Sequence, residues 1–134
     1  MTWRWPAAAA AALFGVATVV SGGRVLFGPA SAQEAAGAYV PFVVLFNFGA
    51  GFAYVLAAAG LALRGRWAAP LAAAIAAATV LVFAAFGVHV LTGGAFERRT
   101  VVAMAFRSVF WIALAAAAPR LVGARAPERA TRRR

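Results

Sequence analysis

The stretch PFVVLFNFGAGFAYVLAAAGLAL, residues 41–63, decides the fold, because it contains no charged side chain and is long enough to cross a bilayer. At about 1.5 Å per residue, a helix of this length covers roughly 34 Å, slightly more than the ~30 Å hydrocarbon core. Pro41 stands in the first turn, where a helix tolerates proline best. We therefore predict a membrane-spanning helix over 41–63.

Three further apolar segments flank this one, and together they predict an all-α integral membrane protein, a four-transmembrane-helix antiparallel bundle. Hydrophobic residues make up 65% of the 134 residues and charged residues 12%, so a water-soluble fold would lack the polar surface to cover its core. The predicted transmembrane domain is 1–118, and the Arg-rich tail 119–134 is expected to be cytoplasmic and disordered. The four spans are expected at about 5–23, 41–63, 70–90 and 99–118.

The first segment has a second interpretation, as a cleaved signal peptide. Arg4 provides a basic start, and Ala30-Ser31-Ala32 has the small-x-small pattern of a cleavage site. That site lies ten residues beyond Val20, which is far from the end of the apolar run. We expect the segment to remain as the first span, with cleavage of residues 1–32 as the alternative.

The placement of the arginines predicts the orientation of the bundle, because basic residues favour the cytoplasmic side of a membrane. Nine arginines lie beside span ends on one side: Arg4, Arg64, Arg66, Arg120, Arg125, Arg129, Arg132, Arg133 and Arg134. The other side has three, Arg24, Arg98 and Arg99. Trp3, Trp5 and Trp67 lie at the same membrane boundary as these nine arginines, and indole rings prefer such an interface. Both termini are therefore expected in the cytoplasm of a bacterial-type inner (plasma) membrane.

Arg107 brings charge into the fourth segment and is the main candidate for a functional residue. It lies seven residues beyond Thr100, roughly 10 Å below the expected boundary, where an arginine facing lipid would cost several kcal/mol. We expect it to face the bundle interior and to lie against Trp111. Its expected hydrogen-bond acceptor is Asn47, Tyr39, a helix carbonyl or a carboxylate. Two interpretations stay open: a staple between helices, which we favour, and a binding site for a substrate or anion.

Other polar residues are predicted to lie near the same end of the bundle. The candidate substrate or ion site consists of Arg107, His89, Glu97, Asn47 and Tyr39. His89 could exchange protons or bind a metal, but the sequence has no cysteine and no second histidine, so a metal site would lack donors. We predict no metal site, no catalytic residue and no cofactor.

Small residues on the second span predict close helix packing. Gly49, Ala53 and Ala57 form a small-xxx-small ridge on which another helix could lie. A different face of the same span carries Asn47, Gly51, Tyr54 and Ala58. On the fourth span, Trp111 is expected to pack inside the bundle.

Two families of four-helix membrane proteins resemble the chain in part. Fluoride channels have a mid-membrane asparagine among phenylalanines, as in Phe46-Asn47-Phe48, but their threonine- and serine-rich pore segment has no counterpart here. Small multidrug transporters are similar in helix number, but they need a carboxylate in the first span, and residues 5–23 contain none. No residue is carried over from either family.

The functional expectation is therefore a non-enzymatic accessory or assembly component of a membrane complex. The alternative is a small oligomeric transporter or channel that uses Arg107, His89 and Glu97. Although the formal net charge is +10, the arginines flank apolar spans, so anionic lipid headgroups explain them without nucleic acid. The expected partners are a lipid bilayer with anionic headgroups and either copies of the same chain or other membrane subunits.

Overall fold

The computed structural model describes residues 3–123, and all the regular structure in this part of the chain is helical. A short helix, α2 (Ala30–Ala36), follows α1 (Arg4–Phe27). The four long helices are each long and apolar enough to cross a membrane, and they are α1 (Arg4–Phe27), α3 (Pro41–Ala62), α4 (Ala68–Leu91) and α5 (Arg98–Gly123). The prediction of an all-helical fold is confirmed for these residues, and four of the helices are candidate membrane spans. The prediction for residues 124–134 falls outside the described residues.

The first helix is longer than the predicted span 5–23, because its glycines do not end it. Gly22 is buried, and a Cβ added there would lie 3.1 Å from the Cβ of Phe48 on α3. Because this close contact with α3 stabilises the helix at Gly22, α1 continues past that position. The chain turns only at Gly28, and Pro29 has an extended backbone that leads into α2, a helix that the sequence did not predict.

The last helix runs through Pro119 to Gly123, although the predicted span ended at residue 118. Proline lacks the N–H that would bond to the carbonyl four residues earlier, so it usually ends a helix. Here Val122 is buried in the larger hydrophobic cluster, with Leu121 packed against it. Burial of these two side chains offsets the missing bond, and residues 119–123 belong to the helix instead of the tail.

The helices are arranged as two closely packed pairs, α1 with α3 and α4 with α5, and α3 also lies against α4. By comparison, α1 and α5 approach each other sparsely. The α1–α3 contact is made by small residues, since a Cβ on Gly15 would lie 2.8 Å from the carbonyl oxygen of Gly51. The buried positions of α1 recur every three or four residues, which is the spacing of one helix face: Ala8, Ala11, Gly15, Thr18 and Gly22.

The predicted packing ridge on α3 needs a correction. Gly49 is exposed, and a Cβ added there would meet no atom within 4 Å. Ala53 is half-buried and Ala57 is fully buried. The close approach between backbones occurs at Gly51, on the other face, because residues 49 and 51 point about 200° apart around a helix.

The two ends of the bundle differ in composition. One end, which we call the α2 end, holds α2 together with the start of α5, since the Glu97 side chain bonds to the backbone of Ala38. The other end, the tryptophan end, carries three exposed indole rings, Trp3, Trp5 and Trp67.

Two hydrophobic clusters fill the interior. The larger one includes Tyr54, Leu61 and Trp111, and extends to the tryptophan end. The smaller one lies at the α2 end and consists of Val40, Val43, Phe86 and Met104.

Candidate functional site

Near its middle, each long helix carries a polar residue that is buried or half-buried. Thr18 and Thr79 are buried, with 3% and 0% of their surfaces exposed, while Asn47 and Arg107 are half-buried. On α5, Arg107 falls between Met104 of the smaller cluster and the residues of the larger one. We call Thr18, Asn47, Thr79 and Arg107 the mid-bundle polar layer.

The Arg107 side chain connects α5 to α1. Its Nη1 donates a hydrogen bond of 2.9 Å to the hydroxyl of Thr18, and its Cζ lies 4.9 Å from the ring centroid of Phe14. The expected contact with Trp111 and the expected acceptors are therefore corrected. The Trp111 ring instead faces Tyr54 of α3, at 4.6 Å between centroids. Two side chains one turn apart on α5 thus hold two different helices.

Phe14 is the central ring of this contact, and the sequence analysis did not single it out. It stacks on Tyr54 at 5.3 Å with an interplanar angle of 5°, and it lies 5.2 Å from Phe110. The sequence did contain a signal for the hydrogen-bond partner of Arg107, because Thr18 is the only polar side chain between Pro6 and Val20. A hydroxyl one turn from an aromatic ring can accept a hydrogen bond from an arginine that also packs on the ring.

The interior offers more polar atoms than its own side chains satisfy. The Asn47 Nδ2 atom has a weak acceptor, the sulfur of Met104 at 3.7 Å. Within residues 3–123, four buried atoms around this layer have no hydrogen-bond partner: Asn47 Oδ1, Tyr54 OH, Arg107 Nε and Trp111 Nε1. An unsatisfied buried group costs about 1–3 kcal/mol. The layer therefore has the capacity to hydrogen-bond water or a polar ligand.

Glu97 and Arg99 fix the connection between α2 and α3. Glu97 Oε1 accepts a hydrogen bond of 2.9 Å from the Ala38 amide, and Arg99 Nη2 donates one of 2.7 Å to the Ala35 carbonyl. Between these two points, Gly37 has a φ of 70°, a conformation that favours glycine and ends α2. We call Glu97 and Arg99 the linker clamp. Each side chain makes one hydrogen bond to the backbone of this connection.

His89 lies in the last turn of α4 and bonds to the connection between α4 and α5. Its Nε2 lies 3.0 Å from the Ala95 carbonyl, and because a carbonyl only accepts, Nε2 carries the hydrogen. The ring stacks beside Phe86, at 6.5 Å between centroids. The Gly94 amide donates to the His89 carbonyl at 2.9 Å, so the backbone and the ring both shape this turn.

The predicted site residues therefore take part in separate contacts. Arg107 binds α1, Glu97 binds the linker, and His89 binds its own turn. Tyr39 is half-buried and lines a groove together with Arg99. Among the described residues 3–123, no three His, Cys, Asp or Glu side chains lie where they could share a metal ion.

The class of protein that these features define is a helical bundle with four candidate membrane spans and a polar layer in its interior. Comparisons with models of protein families, with curated proteins and with solved structures found no match. The geometry of the side chains therefore carries the functional argument.

Proposed function

We propose that this chain is a non-enzymatic accessory or assembly subunit of a bacterial-type inner-membrane complex. The observation that carries the proposal is the use of the polar side chains. Arg107, Glu97, Arg99 and His89 each bind the backbone or a hydroxyl of the chain itself, so their polar groups stabilise the bundle. An accessory or assembly subunit acts through a stable structure and does not need a reactive centre.

An exposed glycine on α3, Gly49, supports a role in assembly. A Cβ at Gly49 would meet no atom of the same chain, so another helix could approach the backbone closely there. Small residues at a helix surface allow this packing in lipid, where apolar burial gives no advantage over acyl chains. We infer that Gly49 marks the surface that receives a partner helix.

Photocrosslinking in native membranes tests this assignment. A photoreactive phenylalanine analogue at position 49 should crosslink to one defined membrane subunit, identified by mass spectrometry and recovered reciprocally from that subunit. The same analogue at Ile112, an exposed position on α5, serves as the control and should crosslink to lipid. Equal crosslinking to many proteins at both positions would reject the assembly surface.

For orientation we propose that both termini are cytoplasmic, which places the α2 end outside. The support is the predicted asymmetry of nine arginines against three, together with the exposed Trp3, Trp5 and Trp67 at one end. An alkaline phosphatase inserted between Gly93 and Gly94 should be active, and one fused after Arg134 should be silent. The reverse pattern would invert the proposed orientation.

The second candidate function is a small oligomeric transporter or channel, and the unpartnered polar atoms favour it. Asn47 Oδ1, Tyr54 OH and Arg107 Nε could bind water or an anion within the membrane. Proteoliposomes containing the purified chain should then conduct protons or anions, and Arg107→Gln should abolish the flux. Liposomes with the wild-type chain that stay as tight as empty ones would remove this candidate.

A further inference from the structure

We propose that the groove between α1, α2 and α5 binds one anionic phospholipid, with its phosphate near Arg24 and Arg99 and an acyl chain along α1. This inference goes beyond the accessory role, because it assigns a ligand to a surface that the role does not use.

The groove exists because α1 and α5 meet sparsely. It has a volume of 1140 Å³, which exceeds the roughly 300–1,000 Å³ of a typical small-molecule pocket. Its walls are formed by α1 on one side and by the start of α5 on the other, with α2 across the α2 end. The volume and the position on the outside of the bundle fit a lipid that enters sideways from the bilayer.

One end of the groove is polar and positively charged. Arg24, in the last turn of α1, and Arg99, in the first turn of α5, both line it and are both exposed. Arg99 uses one of its five N–H groups on the Ala35 carbonyl, so its fork retains donors for a phosphate oxygen. Ser21 and Tyr39 add hydroxyl groups at the same end.

The Glu97 carboxylate lies beside Arg99 at Gly37, but it accepts a hydrogen bond from the Ala38 amide and does not line the groove. The described residues contain two carboxylates, Glu34 and Glu97, and neither lines the groove. Arginine forks bind phosphate through charge-assisted hydrogen bonds, which are stronger than neutral ones. The charge of this end therefore complements a headgroup with net negative charge better than a zwitterionic one.

The remainder of the groove is apolar and has the depth of one leaflet. Leu13, Val16 and Val20 line it along α1, and Ala103 lines it on α5. From Arg24 to Leu13 the helix advances eleven residues, or roughly 16 Å, which is about half of the ~30 Å hydrocarbon core. An acyl chain that starts at the arginines would end near Leu13, close to the middle of the membrane.

Native mass spectrometry of the purified, delipidated protein tests the proposal, with phosphatidylglycerol as the probe. Phosphatidylcholine and inorganic phosphate are titrated in parallel, to separate headgroup charge and a free anion from lipid binding. Ala17→Trp fills the groove, and its matched control is Ala77→Trp, because Ala77 is also an exposed mid-helix alanine but lies on α4. Arg24→Gln removes one charge at an exposed helix end, with Arg64→Gln at the tryptophan end as its control.

The wild-type chain and both controls should retain one phosphatidylglycerol per protomer. Ala17→Trp should lose it, and Arg24→Gln should weaken it roughly tenfold, the effect of losing one charge-assisted hydrogen bond. Because Arg24→Gln leaves the packing untouched, it tests the proposal even if Ala17→Trp fails to fold.

Four results would overturn the proposal. Ala17→Trp could bind phosphatidylglycerol as well as the wild type does, or phosphatidylcholine could bind as tightly as phosphatidylglycerol. Inorganic phosphate alone could displace the lipid, which would indicate an ion site. Finally, Arg24→Gln could retain phosphatidylglycerol as tightly as the wild type does, which would remove the arginines from the site. All of these are measured on the isolated chain, so none depends on the proposed partner subunit.

Discussion

The two contacts of α1 are built in opposite ways. Against α3, α1 presents glycines, and the backbones approach so closely that a Cβ at Gly51 would lie 3.0 Å from the Gly15 carbonyl oxygen. Against α5, the same helix leaves an open groove, and the described contact is carried by Arg107, Phe14 and the phenylalanines next to them. Close packing thus fixes one neighbour of α1 by shape, whereas a long polar side chain fixes the other across a gap.

The strongest test of this comparison is to add bulk to the close contact. Gly51→Leu should destabilise the bundle by about 3 kcal/mol or more, because the new side chain would collide with the backbone of α1 and with Val19. The measurement is thermal unfolding in detergent.

Gly49→Leu is the matched control, since it places the same side chain on the same helix two residues away. Gly49 faces open space, so this change should alter the free energy of unfolding by less than about 0.5 kcal/mol. If the two variants unfold at the same temperature, the α1–α3 contact is not formed by Gly51.

The next largest effect should come from the polar contact. Arg107→Gln should lower the free energy of unfolding by about 1–3 kcal/mol, because Thr18 loses a charged donor and Phe14 loses a cation. Arg107→Lys should recover only part of this loss, since an ammonium group cannot reproduce the planar fork.

A double-mutant cycle sharpens this result. Thr18→Val removes the hydroxyl with little change in shape, so its effect should be much smaller in the Arg107→Gln background than in the wild type. Additive effects would show that the hydrogen bond contributes nothing measurable. An increase in stability for Arg107→Gln would mean that the charge is kept for a ligand instead of a helix contact.

The smallest predicted effect concerns the linker clamp, which joins the start of α5 to the connection between α1 and α3. Glu97→Gln should weaken the hydrogen bond to the exposed Ala38 amide and cost less than about 1 kcal/mol. Hydrogen exchange at Ala38 should become faster. Glu34→Gln is the control, because Glu34 is exposed on α2, and it should leave this exchange rate unchanged.

Several features of the fold could be predicted from the sequence because they depend on local pattern. Each of the four apolar segments of membrane length, and Pro41 at a helix start, can be recognised from one short stretch of sequence. Gly51, Tyr54 and Ala58 are buried on one face, as their spacing indicates. Arg107 could be placed toward the interior from the cost of leaving its charge in lipid.

The remaining features depend on contacts between distant segments. Gly49 and Gly51 are the same residue type, and only the position of α1 decides which of them meets another backbone. In the same way, the sequence around Arg107 suggested Trp111 because it is near in the chain, while the actual partners lie about ninety residues earlier. The continuation of α5 through Pro119 reflects burial of Val122, which no local rule contains.

The pairing of Arg107 with α1 also bears on how the protein is made. The Arg107 charge lies in α5, and its partners, Phe14 and Thr18, lie in α1, which precedes it in the chain. An arginine at the centre of an inserting helix costs about 2.5–3.5 kcal/mol on its own. Because the chain is synthesised from its N-terminus, the hydroxyl and the aromatic ring that stabilise the guanidinium are already made when α5 is completed. The order of α1 and α5 in the chain thus gives this charge its partners as soon as α5 forms.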